Sequence, residues 1–336
     1  MIAHCLGSLA DIFGIESASR WLIDFGFTRN ITFMLLFIAL TVGIISEGVQ
    51  QGIERWSARL MPMLLVTLLL LVVYVLTLDG AIDGLKVYLL PDFERAMSPA
   101  LIINALGSAF FSLSLGVGTM LVYGSYINDS ENLPVVGGLV TLVDISIAVM
   151  AGFLVLPAMY VALHNGVEIF TATGELISED TLIFTVLPEL FNTMGIAGTV
   201  VSFTFFFLMS IAALTSSISM LEVPVAYTIE EHGVSRKRSV IVIGVAIAVV
   251  STIILINFEQ LFGFVVALTT RYSQPLLGFM FCIYAGWIWQ RDKVLQEVRK
   301  GCPDVENGLF WKIWPAYVRY VCPVIILAIF AQTVFG

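Results

Sequence analysis

Long apolar segments constrain this chain more than any other feature. One of them, residues 64–78, contains no charged residue at all. A helix rises ~1.5 Å per residue and needs ~20 residues to cross a bilayer. Hydrophobic residues make up 59% of the 336 and charged residues only 12%, with a mean hydropathy of +0.97. A water-facing surface needs more charge, so the sequence predicts an all-α polytopic membrane protein.

We predict about eight transmembrane helices. They cover about residues 30–46, 59–78, 101–126, 134–163, 196–228, 240–256, 262–289 and 314–335. Residues 1–28 mix charges with short amphipathic patches, which predicts a surface loop with helical turns ahead of a transmembrane domain at 29–336. The acidic connection 164–195 contains a short apolar patch, which we interpret as a re-entrant or surface hairpin.

Basic residues predict the orientation of these helices. If the loop after the first span is cytoplasmic, alternate loops hold ten basic residues: Arg55, Arg59, Arg236, Lys237, Arg238, Arg291, Lys293, Arg299, Lys300 and Lys312. The opposite side holds four: Arg20, Arg29, Lys86 and Arg95. This positive-inside bias predicts that residues 1–28 and 164–195 are extracellular.

The predicted span at 101–126 is interrupted at its centre by Ser112, Ser114, Gly116 and Gly118. Each glycine lowers helix stability by roughly 1 kcal/mol relative to alanine, which predicts a helix broken at mid-membrane. Hydrocarbon cannot satisfy the freed backbone groups, so they must face protein, water or a bound ion. Alternatively, these small residues only allow close helix packing.

Two further polar clusters interrupt apolar spans. Asp144 lies about ten residues into the fourth span, where a carboxylate costs ~2.5–3.5 kcal/mol and marks a functional site by default. Alternatively, it reaches the nearby cytoplasmic boundary. Thr215 and Ser216 lie in the polar stretch 212–219 and could offer oxygens to a monovalent cation, or could bond to their own helix backbone.

The same inventory excludes several functions. The four cysteines are scattered and the three histidines isolated, so neither a transition-metal site nor a catalytic cluster is predicted. We find no nucleotide-binding loop and no nucleophile paired with a base, and nothing suggests nucleic-acid binding or an enzymatic cofactor. Hydroxyls, a carboxylate and freed carbonyls form an oxygen-ligand set suited to Na⁺.

At these residues the sequence resembles the neurotransmitter:sodium symporter family, in particular its bacterial amino-acid transporters. The resemblance rests on the stretch 48–55 with Met61 and Pro62, on 110–118 continuing through 123–126, and on 212–217. The order and spacing match the family from its fourth helix to its eleventh. The family fold consists of two inverted five-helix repeats, with a discontinuous helix at a midplane site.

The resemblance implies roles for individual residues. Ser112 and Asp144 would bind one Na⁺, whereas the Ala212 carbonyl and the Thr215 and Ser216 hydroxyls would bind a second. The following residues would line the substrate site: Phe111, Ser114, Gly116, Val117, Gly118, Ser216 and Met220. Tyr126 and Glu230 would belong to a cytoplasmic gate, while the acidic residue of the extracellular gate aligns near Val266 and is lost.

Two departures from the family carry further expectations. Chloride-dependent members have Asn where Asp144 stands and a chloride-binding Ser where this chain has Ala148, which implies chloride independence. Most members also have a bulkier residue where Val117 stands, which leaves the substrate open. The resemblance implies Na⁺-coupled symport of an amino acid or related small amine, in the cytoplasmic membrane of a bacterium.

The family's first three helices, including its broken first helix, have no counterpart in the sequence. We therefore expect an N-terminally truncated member. Two alternatives to a working symporter follow: a non-transporting membrane fragment, or a half-transporter that a second chain completes with the missing helices. An ion site short of ligands in a low dielectric would bind Na⁺ weakly.

Overall fold

The computed structural model of this chain describes residues 1–24, 26–90, 97–170 and 182–335. Within these ranges six helices are long and apolar enough to cross a membrane: Phe27–Ser46, Val49–Leu76, Leu133–His164, Gly195–His232, Arg236–Ile256 and Leu309–Val334. The predicted all-α membrane fold is thereby confirmed. The two other predicted spans, 101–126 and 262–289, are built of shorter helical pieces, so a count of eight spans stays a prediction.

We number the described α-helices in chain order. They are α1 (Ile2–Ile12), α2 (Glu16–Ile23), α3 (Phe27–Ser46), α4 (Arg55–Leu76), α5 (Ala81–Leu89), α6 (Pro99–Ser112), α7 (Thr119–Ser125), α8 (Leu133–His164), α9 (Leu187–Thr193), α10 (Gly195–His232), α11 (Arg236–Ile256), α12 (Phe258–Val266), α13 (Gln274–Ile283), α14 (Arg291–Gly301), α15 (Leu309–Ala316) and α16 (Cys322–Phe335). Turns of π-helix join several of them, among them Ala267–Ser273, Tyr284–Ile288 and Tyr317–Val321.

The chain forms two compact units. Unit 1 contains Met1–Pro91 and Ile147–Ile256, and unit 2 contains Asp92–Ser146 and Asn257–Gly336. Lipid tails are as apolar as leucine, so membrane helices gain stability from close van der Waals packing rather than from apolar burial alone. In unit 1 such packing buries Leu71, Val161 and Phe206 in one core that joins α4, α8 and α10.

The N-terminal segment corrects one expectation. Residues 2–23 are not a loop with helical turns but two helices, and α1 packs into unit 1 against α10. Three small residues, Ala3, Gly7 and Ala10, are buried and allow this approach. The Ser8 and Ser202 hydroxyls lie 2.8 Å apart, and the His4 ring stacks on Phe206 at 4.8 Å. The extracellular placement of residues 1–28 stays a prediction.

Burial of His4 changes its acid–base behaviour. Desolvation, followed by the neighbouring N-terminal ammonium and the Arg29 guanidinium, lowers the pKa of His4 to about 4. The imidazole is therefore neutral at pH 7, as expected for a ring packed among aromatic side chains.

Part of the predicted hairpin at 164–195 is buried rather than at the surface. Ile169, Val186, Leu187 and Leu190 all lie in the core of unit 1. Residues 171–181 lie outside the described part of the chain. The apolar patch is thus explained, at least from residue 186 onward, by packing inside unit 1.

Candidate functional site

The predicted break in the third span is present in unit 2. Helix α6 begins at Pro99, where the Ser98 hydroxyl accepts the Leu101 N–H at 3.3 Å, and it ends at Ser112. Helix α7 begins only at Thr119. Between the two helices, Gly118 has a φ of +87° and Ser114 has a φ of +53°. Ser114 is the only non-glycine residue with a positive φ in the described ranges. A left-handed conformation costs an L-residue roughly 1–2 kcal/mol, so the surroundings must hold Ser114 in place.

Hydrogen bonding across the break is irregular. The Ser114 N–H donates to the Phe111 carbonyl at 2.9 Å, and the Val117 N–H donates to the Ser114 carbonyl at 3.3 Å. These bonds turn the chain without continuing the i to i+4 ladder. The last carbonyls of a helix have no partner within it, and here the N–H groups of Leu113, Leu115 and Ser114 bond those of Ala109, Phe110 and Phe111.

Asp144 lies beside the end of α6. The Ser112 hydroxyl donates to Asp144 Oδ1 at 2.8 Å, across 32 positions in sequence. Asp144 is half-buried on α8, and Ser112 is the last residue of α6. The structure therefore brings together the two residues that the sequence singled out in unit 2. A hydroxyl and a carboxylate in contact are oxygen ligands of the kind that hard cations prefer.

Gly116 marks a close approach of α13 to the break. A Cβ atom at this position would lie 1.9 Å from the backbone oxygen of Gln274, so only glycine fits without displacement. Gln274 itself is 5% exposed, and its amide Nε2 is buried without a hydrogen-bond partner among the described residues. An unmade hydrogen bond of this kind costs about 1–3 kcal/mol, which makes Gln274 a candidate for ligand contact.

Sequence reasoning missed Gln274. Its only signal is an amide immediately before Pro275 inside a predicted span, and nothing in the local pattern connects it with residue 116.

Phe110 and Phe111, which precede the break, lie in different surroundings. Phe110 is buried, and its ring fills the space beside Gly278, where a Cβ would meet the ring at 2.3 Å. Phe111 is 54% exposed, whereas Ser114 and Val117 are half-buried. Of the two rings, Phe111 is thus the one that a substrate could reach.

The second predicted sodium site lies on α10 in unit 1. This helix runs unbroken over 38 residues. Thr215 is buried, and its hydroxyl donates to the carbonyls of Ile211 at 3.2 Å and Ala212 at 3.0 Å. The Thr215 hydroxyl therefore bonds to the backbone of its own helix, which is one of the two alternatives that the sequence leaves open. The same contact places the proposed Ala212 and Thr215 oxygens side by side.

Ser216 and Met220 occupy another face of α10. They are four residues apart, hence on one side of the helix, and both are exposed. The neighbouring Ser217 lies 3.1 Å from the Thr41 hydroxyl and joins α10 to α3.

The proposed gate residues belong to different units. Tyr126 caps the C-terminal end of α7 in unit 2, with its ring 6.4 Å from that of Tyr123. Glu230 is exposed near the end of α10 in unit 1. Their pairing stays a prediction.

A buried ion pair in unit 1 was also missed. Glu222 on α10 is completely buried, and Arg236 Nη2 donates to its Oε2 at 2.5 Å. Arg236 Nε also donates to the Ile45 carbonyl at 2.8 Å, so one side chain joins α10, α11 and α3. The sequence does contain a signal for Glu222, because, like Asp144, it is a carboxylate inside a predicted span.

These features define a class: an all-α polytopic membrane protein with a broken helix and oxygen ligands beside the break. The model of the sodium:neurotransmitter symporter family matches residues 17–336, and the chain belongs to that family. Its members are sodium symporters rather than enzymes.

Individual relatives agree. The chain is 33% identical over 311 residues to an uncharacterized sodium-dependent transporter of Haemophilus influenzae, covering 91% of this chain and 65% of that protein. It is 31% identical over 321 residues to another from Bacillus subtilis, covering 91% and 67%. The crystal structure of MhsT in complex with L-phenylalanine matches with a TM-score of 0.76 and 30% identity, covering 98% of this chain and 77% of MhsT. The chain thus spans about two thirds of the length of these curated relatives.

Proposed function

We propose that this chain takes part in sodium-coupled symport of an amino acid or a related small amine. The observation that carries the proposal is the contact between Ser112 and Asp144 beside a broken helix. Membership in a family of sodium symporters supports the coupling ion. The phenylalanine bound to MhsT supports an amino-acid substrate.

The proposed ion ligands follow from the two units. In unit 2, Ser112 and Asp144 bind one Na⁺. In unit 1, the Ala212 carbonyl and the Thr215 and Ser216 hydroxyls contribute to a second Na⁺. Support comes from the adjacency of the oxygens in each set, 2.8 Å in the first and 3.0 Å between Thr215 and Ala212.

The proposed substrate site includes the break itself. Its residues in unit 2 are Phe111, Ser114, Gly116, Val117 and Gly118, and the resemblance to the family adds Ser216 and Met220 as substrate residues. We add Gln274, whose buried amide needs an acceptor such as a carboxylate or carbonyl oxygen. An amino acid carries such an oxygen.

Chloride independence is a further part of the proposal. Asp144 supplies a fixed negative charge beside the ion site, and Ala148 one turn later offers no hydroxyl for an anion. A permanent carboxylate makes an added anion electrostatically unfavourable. Replacing chloride by gluconate therefore leaves uptake unchanged, and a collapse of uptake in gluconate contradicts this point alone.

The remaining parts are topological. We propose that residues 1–28 lie on the extracellular side, that 29–336 form the membrane domain, that Tyr126 and Glu230 serve a cytoplasmic gate, and that the protein works by alternating access in a bacterial cytoplasmic membrane. The positive-inside bias supports the orientation. The comparisons give no support to a second chain that supplies helices.

Uptake into proteoliposomes tests the proposal. The purified chain is reconstituted, an inward Na⁺ gradient is imposed, and accumulation of a mixed panel of radiolabelled amino acids is measured against a K⁺ gradient. We expect Na⁺-dependent accumulation that Asp144→Ala abolishes. The alternative, a fragment that binds but does not transport, predicts no accumulation together with a Na⁺-dependent rise in thermal stability. If the chain shows no accumulation and no Na⁺-dependent stabilisation, both the transporter proposal and the fragment alternative are contradicted.

A further inference from the structure

A cavity of about 380 Å³ lies in unit 2, far along the chain from the proposed ion ligands. Its walls come from the two π-helical turns, Tyr284–Ile288 and Tyr317–Val321, and from the first residues of α14 and part of α15. Four tryptophans line it: Trp287, Trp289, Trp311 and Trp314. Such a density of tryptophan is typical of protein surfaces at the level of lipid headgroups.

Arg319 is built into this cavity. Its guanidinium carbon lies 4.3 Å from the centre of the Trp287 ring and 5.5 Å from that of Tyr320. The Trp287 indole N–H donates to the Arg319 carbonyl at 3.2 Å. Gly286 lets the backbones approach, because a Cβ there would lie 2.9 Å from the Arg319 Cα. The position of Arg319 is thus held by the side chain and backbone of the opposite turn.

Arg291 supplies a second guanidinium to the same cavity. It lies 5.8 Å from the centre of the Trp311 ring. Both arginines are exposed enough to be reached from outside. An arginine stacked on an aromatic face keeps its edge N–H groups free for planar, bidentate acceptors.

The charge of the cavity is not compensated. Among the described residues neither Arg291 nor Arg319 forms an ion pair, and the residues lining the cavity include no Asp or Glu. Two neighbouring basic residues on α14 behave differently: Arg299 pairs with Glu306, and Lys300 pairs with Asp129 and Glu297. Arg291 and Arg319 are the cationic side chains that line the cavity, and they are therefore available to an external anion.

From this arrangement we infer that the cavity binds the phosphate headgroup of an anionic phospholipid. A guanidinium recognises phosphate oxygens bidentately, and tryptophan side chains are enriched at the headgroup level of a bilayer. The span Leu309–Val334 starts at the same place and exposes Val324 and Leu327, which offers an apolar path for the acyl chains. The predicted orientation places the cavity at the cytoplasmic leaflet, where anionic lipids attract basic residues.

Tryptophan quenching tests the inference directly. The chain has six tryptophans, and the Trp21→Phe, Trp56→Phe double variant keeps only the four that line the cavity. This variant is reconstituted in phosphatidylcholine vesicles that contain increasing fractions of brominated phosphatidylglycerol or brominated phosphatidylcholine. We expect phosphatidylglycerol to quench at a roughly fivefold lower mole fraction. Equal quenching by the two lipids overturns the inference.

Variants on the same background assign the effect to the two arginines. Arg319→Gln and Arg291→Gln each reduce the preference for phosphatidylglycerol about fivefold, whereas Arg319→Lys keeps part of it and Arg299→Gln, the matched control, keeps all of it. A preference that survives in both glutamine variants overturns the assignment. If Arg319→Gln disturbs Trp287 packing, Arg291→Gln gives an independent answer.

Inorganic phosphate could occupy the cavity through the same contacts as a lipid headgroup, so the experiment must separate the two ligands. Excess inorganic phosphate leaves the quenching curves unchanged if the lipid is the ligand. Displacement of phosphatidylglycerol by inorganic phosphate shows instead a soluble anion site and overturns the lipid assignment.

Discussion

The broken helix α6–α7 and the unbroken helix α10 present ion-ligand oxygens in two different ways. In unit 2 the helix stops at Ser112, and that hydroxyl reaches Asp144 on another helix. In unit 1 the helix continues through Thr215, whose hydroxyl stays on its own backbone. The break therefore places Ser112 against a carboxylate on another helix, whereas the Thr215 hydroxyl keeps its hydrogen bonds within its own helix.

The two regions also differ in what holds them in place. The break depends on the fit of Gly116 against the backbone of Gln274. Helix α10 depends on a fully buried charge, Glu222, and on its partner Arg236. Steric fit stabilises the first arrangement and electrostatics the second, so substitutions should separate them.

The largest effect is expected for Glu222→Gln. This substitution removes the carboxylate partner of the Arg236 guanidinium, whose side chain is only 21% exposed. The unpaired charge costs about 3–5 kcal/mol of stability. The thermal unfolding midpoint in detergent measures this. Glu230→Gln on the exposed end of the same helix is the control and changes stability by less than about 0.5 kcal/mol. Equal midpoints for the two variants would show that α10 does not rely on the pair.

Asp144→Asn tests the long-range contact in unit 2. The Ser112 hydroxyl keeps a partner, but the charge that attracts Na⁺ is gone, so half-saturation for Na⁺ rises by about 10–100-fold. A Na⁺ titration of ²²Na⁺ binding or uptake measures it. Asp129→Asn, an equal change of charge at an exposed position in unit 2, leaves Na⁺ binding unchanged; an equal loss in that control means that only net charge matters.

Gly116→Ala tests the steric fit at the break. The new Cβ meets the Gln274 carbonyl oxygen at 1.9 Å, so the helices must shift, at a cost of about 1–3 kcal/mol. Gly124→Ala in the adjoining α7 is the control, because a Cβ there meets nothing within 4 Å. Thermal midpoints of both variants are compared. A stable Gly116→Ala protein would mean that α13 does not press on the break.

Thr215→Val removes the hydroxyl from the unbroken helix at nearly constant volume. Its two bonds are local, so we expect a loss of only about 1 kcal/mol in Na⁺ affinity, or roughly fivefold. Thr215→Ser restores the affinity in the same Na⁺ titration. A loss as large as that of Asp144→Asn would erase the distinction between the two regions.

The smallest effect concerns pH. His4 has its pKa lowered to about 4, so the unfolded chain binds a proton between pH 6.5 and 4 while the folded chain does not. Stability is therefore complete above pH 6.5 and falls on acidification, by about 1 kcal/mol by pH 5. In His4→Phe this part of the decline disappears, and in His232→Gln, an exposed control, it remains. An unchanged pH profile in His4→Phe would locate the acid sensitivity elsewhere.

Helices and the break could be predicted because their signals are local. Apolar length predicts a span, and two serines with two glycines in seven residues predict the interruption that lies between Ser112 and Thr119. The contacts that were missed are not local. Arg236 lies 191 positions from Ile45, and Gln274 meets Gly116 only because α13 packs against the break. The sequence of α1 does not predict a packed helix because most of its buried residues are small and carry little apolar signal.

Pro224 lies inside α10, two residues after Glu222, and has a mechanical consequence. It has no N–H, so the Met220 carbonyl lacks its usual helical partner and the helix bends most easily there. The Glu222 carboxylate that Arg236 holds lies between Met220 and Pro224, inside the turn that the proline weakens. The ion pair therefore clamps α10 at the point where the helix bends most easily, next to the proposed substrate residue Met220.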